Sequence, residues 1–150
     1  MKILISLLLV ISLSACSNSD LSTPEDRVRT VLQAIELAAE ERSLSSLMDN
    51  ISDGYSDHRG HSKDDIRRLV QLHYIRNQNI HILSTIQSLN IEGNTATVEL
   101  STIMAATEEG VLNNNKRLRA NSHNFSIVLI EDVSEQIWLV ESVSWQRGWE

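Results

Sequence analysis

The apolar residues of this chain change their spacing near residue 79, and this change restricts the folds that the chain can adopt. Before residue 79 they recur every three or four positions, which is typical of a helix with one buried face. After it they alternate with polar residues, as in half-buried strands. With 150 residues, the chain is large enough for one domain with its own core. We therefore predict an α+β domain in which helices come first and an antiparallel sheet follows.

Capping signals mark the starts of three predicted helices. Thr23 followed by Pro24 suits one helix N-terminus, Ser43 suits a second, and Ser62 followed by acidic residues suits a third. We expect the first helix to run to about Arg42. Its predicted buried stripe comprises Val28, Val31, Leu32, Ile35 and Ala38. Its opposite face, predicted to be exposed, comprises Arg29, Gln33, Glu36 and Glu40.

The third helix should end near Asn77 and be buried on more than one side, because Leu72 and Ile75 widen its apolar face. Beyond it, the alternating pattern predicts four strands joined in sequence order. Their predicted bounds are residues 80–91, 95–105, 118–131 and 137–147. The segment 107–116 is rich in Glu and Asn and predicts a long polar loop. Trp138 on the last strand is expected in the core.

This order of elements resembles the nuclear transport factor 2-like (SnoaL-like) fold over roughly residues 23–148. The motifs that are similar to those of the fold are Asp53-Gly54-Tyr55 with Asp57, Asp65-x-x-Arg68-Leu69, Leu72-His73-Tyr74 and Trp138-x-Val140-x-x-Val143. The resemblance implies three N-terminal helices packed on a curved antiparallel sheet of four long strands, which closes into a cone. It also implies a pocket between the helices and the sheet, and a homodimer that forms through the sheet.

Members of this fold use the pocket for isomerase, dehydratase or cyclase reactions or for ligand binding, so the fold does not choose a function. The residues expected to line the pocket here are Tyr55, His73, Tyr74, Met104, Arg119, His123 and Phe125. The polar ones fit a catalytic or binding site that consists of a general base, a phenol donor and an anion clamp. They fit equally a set of hydrogen-bonded polar groups at the edge of the core. Tyr74 and His123 are the best candidate pair for proton transfer, and we expect that they are not in contact.

The aliphatic face of the first helix favours binding over catalysis. Ketosteroid isomerases place a tyrosine on this helix, whereas no side chain of the predicted stripe can donate a hydrogen bond or titrate. We therefore expect no catalytic residue and no cofactor. The expected role is binding or assembly, with a small apolar ligand or another envelope protein as partner. A small pocket enzyme of the isomerase, dehydratase or cyclase type is the alternative.

Asp57, His58 and His61 lie close together in the sequence and are of residue types that bind zinc. However, an H-x-x-H spacing within a glycine-containing loop lacks the fixed spacing of helical zinc motifs. The pattern therefore favours a solvated loop, and we predict no metal site.

The N-terminal segment predicts how the domain reaches its compartment. Met1 and Lys2 precede a short apolar run over residues 3–13, which is typical of a secretory signal and too short to span a bilayer. The run ends in Leu13-Ser14-Ala15-Cys16, which resembles the lipobox of bacterial lipoproteins. The resemblance implies a signal peptide over 1–15, acylation of Cys16 with chains such as palmitate, a tether over 16–22 and the domain over 23–150.

Membrane attachment would depend on those acyl chains, because a net charge of −7 disfavours binding to anionic lipid. In enteric-type lipoproteins an aspartate after the cysteine favours the inner membrane, and this chain has Ser17 there. The resemblance therefore implies the periplasmic face of the outer membrane rather than the inner membrane. The acidic balance and the lack of a dense Lys/Arg run argue against a nucleic-acid partner.

Overall fold

The computed structural model describes residues 22–109 and 116–148, and it confirms the predicted order of elements. The helices are α1 (Pro24–Glu40), α2 (Leu44–Met48) and α3 (Lys63–Arg76). The strands are β1 (Asn77–Glu92), β2 (Thr95–Glu109), β3 (Lys116–Asp132) and β4 (Ile137–Arg147). Within the described ranges, no helix is long and apolar enough to cross a membrane. The predictions for the signal peptide, for Cys16 and for nearly all of the tether fall on residues 1–21, which lie outside the described residues.

Reciprocal bonds start both long helices, as the capping signals predict. Thr23 accepts a hydrogen bond from the Asp26 amide at 3.1 Å, and the Asp26 carboxylate accepts one from the Thr23 amide at 3.0 Å. Ser62 and Asp65 form the same capping box at the start of α3. Hydrogen bonds from Ser62, together with the nearby Arg68, lower the pKa of Asp65 to about 2.

α1 ends earlier than the predicted Arg42. The chain leaves the right-handed helical conformation there, with Arg42 at a φ of +57°. The Arg42 guanidinium donates to the Tyr74 carbonyl at 2.6 Å, and the Tyr74 hydroxyl donates to the Ala38 carbonyl at 3.3 Å. These two bonds join the C-terminal ends of α1 and α3 and satisfy carbonyls that lie near the helix ends.

The four strands form one antiparallel sheet in sequence order, β1-β2-β3-β4. Positive φ values at Gly93 (+59°) and Gln136 (+56°) help to turn the chain in the two tight hairpins. β2 and β3 are longer than predicted, because pairing continues past Thr107, which lies opposite Leu118. The predicted loop over 107–116 is therefore wrong at both ends, since its polar residues still pair through their backbones. Residues 110–115 lie outside the described part.

The inner face of the sheet and the helices enclose the core. Alternate residues of each strand point inward, so that Val98 on β2 lies opposite Leu89 on β1 and Ile127 on β3. The largest fully buried side chains are Trp138, Met48, Leu129, Val28, Val98 and Val140. The expected core position of Trp138 is thus confirmed.

α3 is buried on one side only, so the prediction of a widely buried third helix is wrong. Its inner face is formed by Ile66, Val70 and Tyr74, which recur one helical turn apart. Leu72 and Ile75 lie on the far side, and Ile75 is 71% exposed. α3 packs mainly against α2 and β1, which leaves that far side open.

The two ends of α1 contact different parts of the sheet. Near its N-terminus, Arg27 forms an ion pair with Glu131, whose amide bonds to the Asn94 carbonyl at 2.9 Å in the adjacent hairpin turn. We call the region around Arg27, Glu131 and Asn94 the hairpin end. Near the C-terminus of α1, the Glu40 carboxylate accepts a hydrogen bond from the Ile82 amide of the edge strand β1 at 2.7 Å.

Candidate functional site

A cavity of about 230 Å³ lies between the C-terminal half of α1 and the inner face of the sheet. Its lining residues are Leu32, Ile35, Glu36, Ala39, Ile51, Ile82, Ser84, Leu100, Thr102, Met104, Phe125, Ile127, Val140 and Val143. All four strands contribute to this lining, so most of the wall belongs to the rigid sheet. Most of the side chains are apolar, which suits a ligand with a hydrocarbon body.

Three polar side chains interrupt the apolar lining: Glu36 on α1, Ser84 on β1 and Thr102 on β2. Ser84 and Thr102 are partners in the sheet register, and their hydroxyls lie 3.3 Å apart, within hydrogen-bond reach. Glu36 is half-buried, and its carboxylate has no hydrogen bond or ion pair with any residue that the structure describes. The cavity therefore combines one unpartnered carboxylate with one hydroxyl pair.

The prediction that Glu36 lies on the exposed face of the first helix is wrong. Glu36 lies one turn after Leu32 and almost one turn before Ala39, so the helix places it on the same side as these two cavity residues. Leu32 and Ile35 are half-buried and not fully covered, because they border the cavity. Glu40 also faces inward, but its partner is the Ile82 amide.

Of the seven residues expected at the pocket, Met104 and Phe125 line this cavity and the other five do not. His123 borders the lining, since it lies opposite Thr102 in the sheet and its ring centroid is 5.9 Å from that of Phe125. Arg119 lies farther along β3, beyond the lining, and is exposed. The inward-facing positions of β3 thus continue past the end of the cavity, and for this reason the alternation of the strand predicted both residues at the pocket.

Tyr55 and Tyr74 are buried in the core, outside the cavity lining. The Tyr74 hydroxyl donates to the Ala38 carbonyl, and no hydrogen bond joins it to His123 among the described residues. Burial raises the pKa of the Tyr74 hydroxyl. Burial, with the Asp57 carboxylate nearby, raises the pKa of Tyr55 to about 12. Both phenols therefore stay protonated at neutral pH and serve the core.

His73 is an exposed residue of the last turn of α3 and is not part of the lining. It precedes the inward-facing Tyr74 by one position, which turns it about 100° away on the helix. Partial desolvation lowers the pKa of the His73 imidazole, and the side-chain amide nitrogen of Asn77 lies 3.3 Å from its Nδ1. His73 is therefore a group of the helix end and not of the cavity.

Most residues of the loop that follows α2 are exposed, as expected of a solvated loop, and one buried carboxylate holds the loop together. The Asp57 side chain is fully covered and accepts bonds from the Arg59 amide (2.8 Å), the His61 amide (2.9 Å) and His61 Nδ1 (2.7 Å). His58 packs edge-on against Trp145 with ring centroids 4.2 Å apart, and the Arg59 guanidinium lies 5.0 Å from the Trp145 centroid. Asp57 and His61 thus bond to each other while His58 faces Trp145, and the described residues include no group that could hold a metal ion.

The arrangement in the cavity can bind and orient a polar head group. Proton transfer needs a base and an acid or oxyanion donor that converge on one point. Glu36 is the one titratable side chain in the lining of this cavity, and no hydrogen bond joins it to the hydroxyls of Ser84 or Thr102.

Sequence reasoning missed all three polar lining residues, although a signal for two of them was present. Ser84 and Thr102 each occupy an inward position of a strand, with an apolar residue two positions away on either side. A polar residue at such a position indicates either a buried polar pair or a cavity.

Solved structures share this arrangement of helices and sheet. A candidate dehydratase from Streptomyces avermitilis, of the nuclear transport factor 2-like family, has a TM-score of 0.71 over 85% of this chain and 98% of its own, at 14% identity. A ketosteroid isomerase-like protein from Erwinia carotovora atroseptica has a TM-score of 0.66 over 89% and 99%, at 10% identity. A nuclear transport factor 2-like superfamily protein from Salmonella enterica has a TM-score of 0.68 over 86% and 94%, at 13% identity. The fold is nuclear transport factor 2-like.

The predicted fold class is thus confirmed. No protein-family model matches the chain, and no curated protein matches it either. At identities of 10 to 14%, the likeness shows the nuclear transport factor 2-like fold alone and assigns no reaction.

Proposed function

We propose that this protein binds a small, mainly apolar ligand in the cavity beneath α1, and that it does so as a lipid-anchored envelope protein and not as an enzyme. The observation that carries the proposal is the lining, which is apolar apart from Glu36 and the hydroxyls of Ser84 and Thr102. The segment Leu13-Ser14-Ala15-Cys16 supports the anchor, since its resemblance to a lipobox favours the periplasmic face of the outer membrane.

A small pocket enzyme is the second candidate, and Glu36 is the observation that favours it. A carboxylate that borders an apolar cavity can act as a general base. The lining of this cavity supplies no second titratable group to complete such a site. The similar structures named for dehydratase or isomerase chemistry share only the fold, so they do not change this order.

Filling the cavity tests the binding proposal. Val143 lines the cavity from β4, and Val143→Phe would place a ring in a space of about 230 Å³. We expect octanol to bind the wild-type protein in isothermal titration calorimetry, and to bind Val143→Phe at least about tenfold more weakly. Val133→Phe makes the same change at an exposed position of the β3–β4 turn and should bind octanol as the wild type does.

The melting temperature of Val143→Phe separates a filled cavity from a lost fold, because a filled cavity keeps a cooperative transition. The proposal is contradicted if octanol does not bind the wild type, or if a folded Val143→Phe variant binds it unchanged.

A further inference from the structure

We infer that the ligand of this cavity carries a cationic amine head that Glu36 recognises; this inference rests on the binding function proposed above. The lining holds one carboxylate and no lysine, arginine or histidine. An amine head would therefore meet an opposite charge there, whereas the carboxylate of a fatty acid would meet a like charge. The sign of the charge in the cavity selects among amphiphiles that have the same hydrocarbon body.

Glu36 is available for this role because it has no part in holding the fold. The other acidic residues of α1 all have partners: Asp26 in the capping box, Glu25 with the Arg29 guanidinium at 2.7 Å, and Glu40 with the Ile82 amide. Among the residues that the structure describes, Glu36 has none. Its half-buried side chain borders the apolar walls of the cavity, so the carboxylate is free to accept a hydrogen bond from a donor that a ligand would bring.

The balance of donors and acceptors in the lining points the same way. A carboxylate only accepts hydrogen bonds, and a hydroxyl offers one donor and two acceptor lone pairs. When Ser84 and Thr102 bond to each other, one proton remains available while most of the lone pairs stay free. The polar part of the cavity therefore has more acceptors than donors, which suits an ammonium group with three donors and no acceptor.

Three probes with one alkyl chain test the selection by charge: octylamine, octanol and octanoate. The full-length chain with Cys16→Ser is suitable, because no acyl chain can then compete for the cavity. We expect octylamine to bind about tenfold more tightly than octanol, since a hydrogen bond to a charged partner contributes more than a neutral one. Octanoate should bind most weakly. Isothermal titration calorimetry measures all three affinities.

Glu36→Gln keeps the shape of the side chain and removes its charge. In this variant, octylamine should lose about tenfold in affinity, while octanol should change by less than about twofold. Glu41→Gln is the matched control, because it removes the same charge from an exposed residue just after α1, outside the lining. We expect it to bind both probes as the parent chain does.

The inference is overturned if octylamine binds no more tightly than octanol, or if Glu36→Gln and Glu41→Gln weaken octylamine equally. The first result would show that charge does not select the head group, and the second that only the overall negative charge of the protein acts on the amine. Both would leave octanol binding in the cavity intact. If none of the probes binds the parent chain, the proposed binding function itself fails.

Discussion

Asp53 and Asp57 lie in one loop but differ in their surroundings. The Asp53 side chain is fully exposed and bonds to the Lys63 ammonium at 2.9 Å, where solvent weakens the interaction. The Asp57 side chain is fully covered and accepts three hydrogen bonds from Arg59 and His61. Removing the Asp57 carboxylate would leave these donors without an acceptor inside the loop, whereas without the Asp53 carboxylate the Lys63 ammonium still donates to the Ile51 carbonyl at 2.6 Å.

We therefore expect Asp57→Ala to lower the free energy of unfolding by about 2–3 kcal/mol, because buried donors lose their partner. Asp53→Ala, the matched control, should leave the free energy of unfolding nearly unchanged. Urea denaturation followed by circular dichroism measures both variants. Equal losses for the two would show that the bonds to Asp57 do not hold the loop.

The pKa of Asp57 gives its contribution a pH dependence. Burial raises the pKa of this carboxyl, but the hydrogen bonds from His61 and Arg59 outweigh burial and hold the pKa below 3.8. Since the pKa is lower in the folded state, the carboxylate stabilises the fold above the unfolded pKa, and this is lost as the pH falls through the folded pKa. The stability difference between wild type and Asp57→Ala should therefore shrink as the pH falls below about 4.

At the scale of single elements, α3 depends on the way it begins. It packs on one side only, with Leu72 and Ile75 exposed, so burial stabilises it less than it would a helix covered on two sides. Its first turn instead has the capping box of Ser62 and Asp65, and the Asp65 carboxylate also bonds to Arg68. The cap is therefore the feature of α3 whose loss should be easiest to detect.

Ser62→Ala removes a hydroxyl that accepts from the Asp65 amide and donates to the Asp65 carboxylate. We expect the variant to lose about 1 kcal/mol of unfolding free energy, as is typical of a lost N-cap. Ser45→Ala, at an exposed position inside α2, is the control and should cost much less, since alanine is the better helix former there. A loss at Ser62 no larger than that at Ser45 would argue against the cap.

The same elements show what could be predicted from the sequence. Caps and apolar spacing are local properties, and they located the three helices and the four strands. The cavity is not local, because it depends on how α1 lies over the curved sheet. Spacing alone therefore assigned Leu32 to full burial and Glu36 to solvent, although both border the cavity. Met104 and Phe125 were predicted at the pocket because an inward position on a strand is a local property of the sequence. The burial of Tyr74 in the core depends instead on how α3 packs, which is not a local property.

At the scale of the whole molecule, the tether and the cavity lie toward opposite ends of α1. The tether leads into Thr23 at the hairpin end, and the cavity borders the helix from Leu32 onward. A helix of 17 residues is about 25 Å long, and the six tether residues after Cys16 would reach about 20 Å if fully extended. A domain anchored through Cys16 would therefore keep its hairpin end near the membrane and its cavity on the side away from it. Such a cavity would take its ligand from the periplasm more readily than from the bilayer.

The anchor on which this orientation depends is tested at Cys16, the one cysteine of the chain. We expect Cys16→Ser to move the protein from the membrane fraction to the soluble periplasmic fraction, or to leave it uncleaved at a larger mass, because serine cannot take the acyl chains that make anchoring stable. Ser17→Asp keeps the cysteine and is the control: it should remain membrane-bound and, in an enteric host, shift toward the inner membrane. Normal processing of Cys16→Ser with unchanged membrane fractionation would contradict the lipoprotein proposal. With a net charge of −7, the domain has no electrostatic attraction to anionic lipid that could replace the acyl chains.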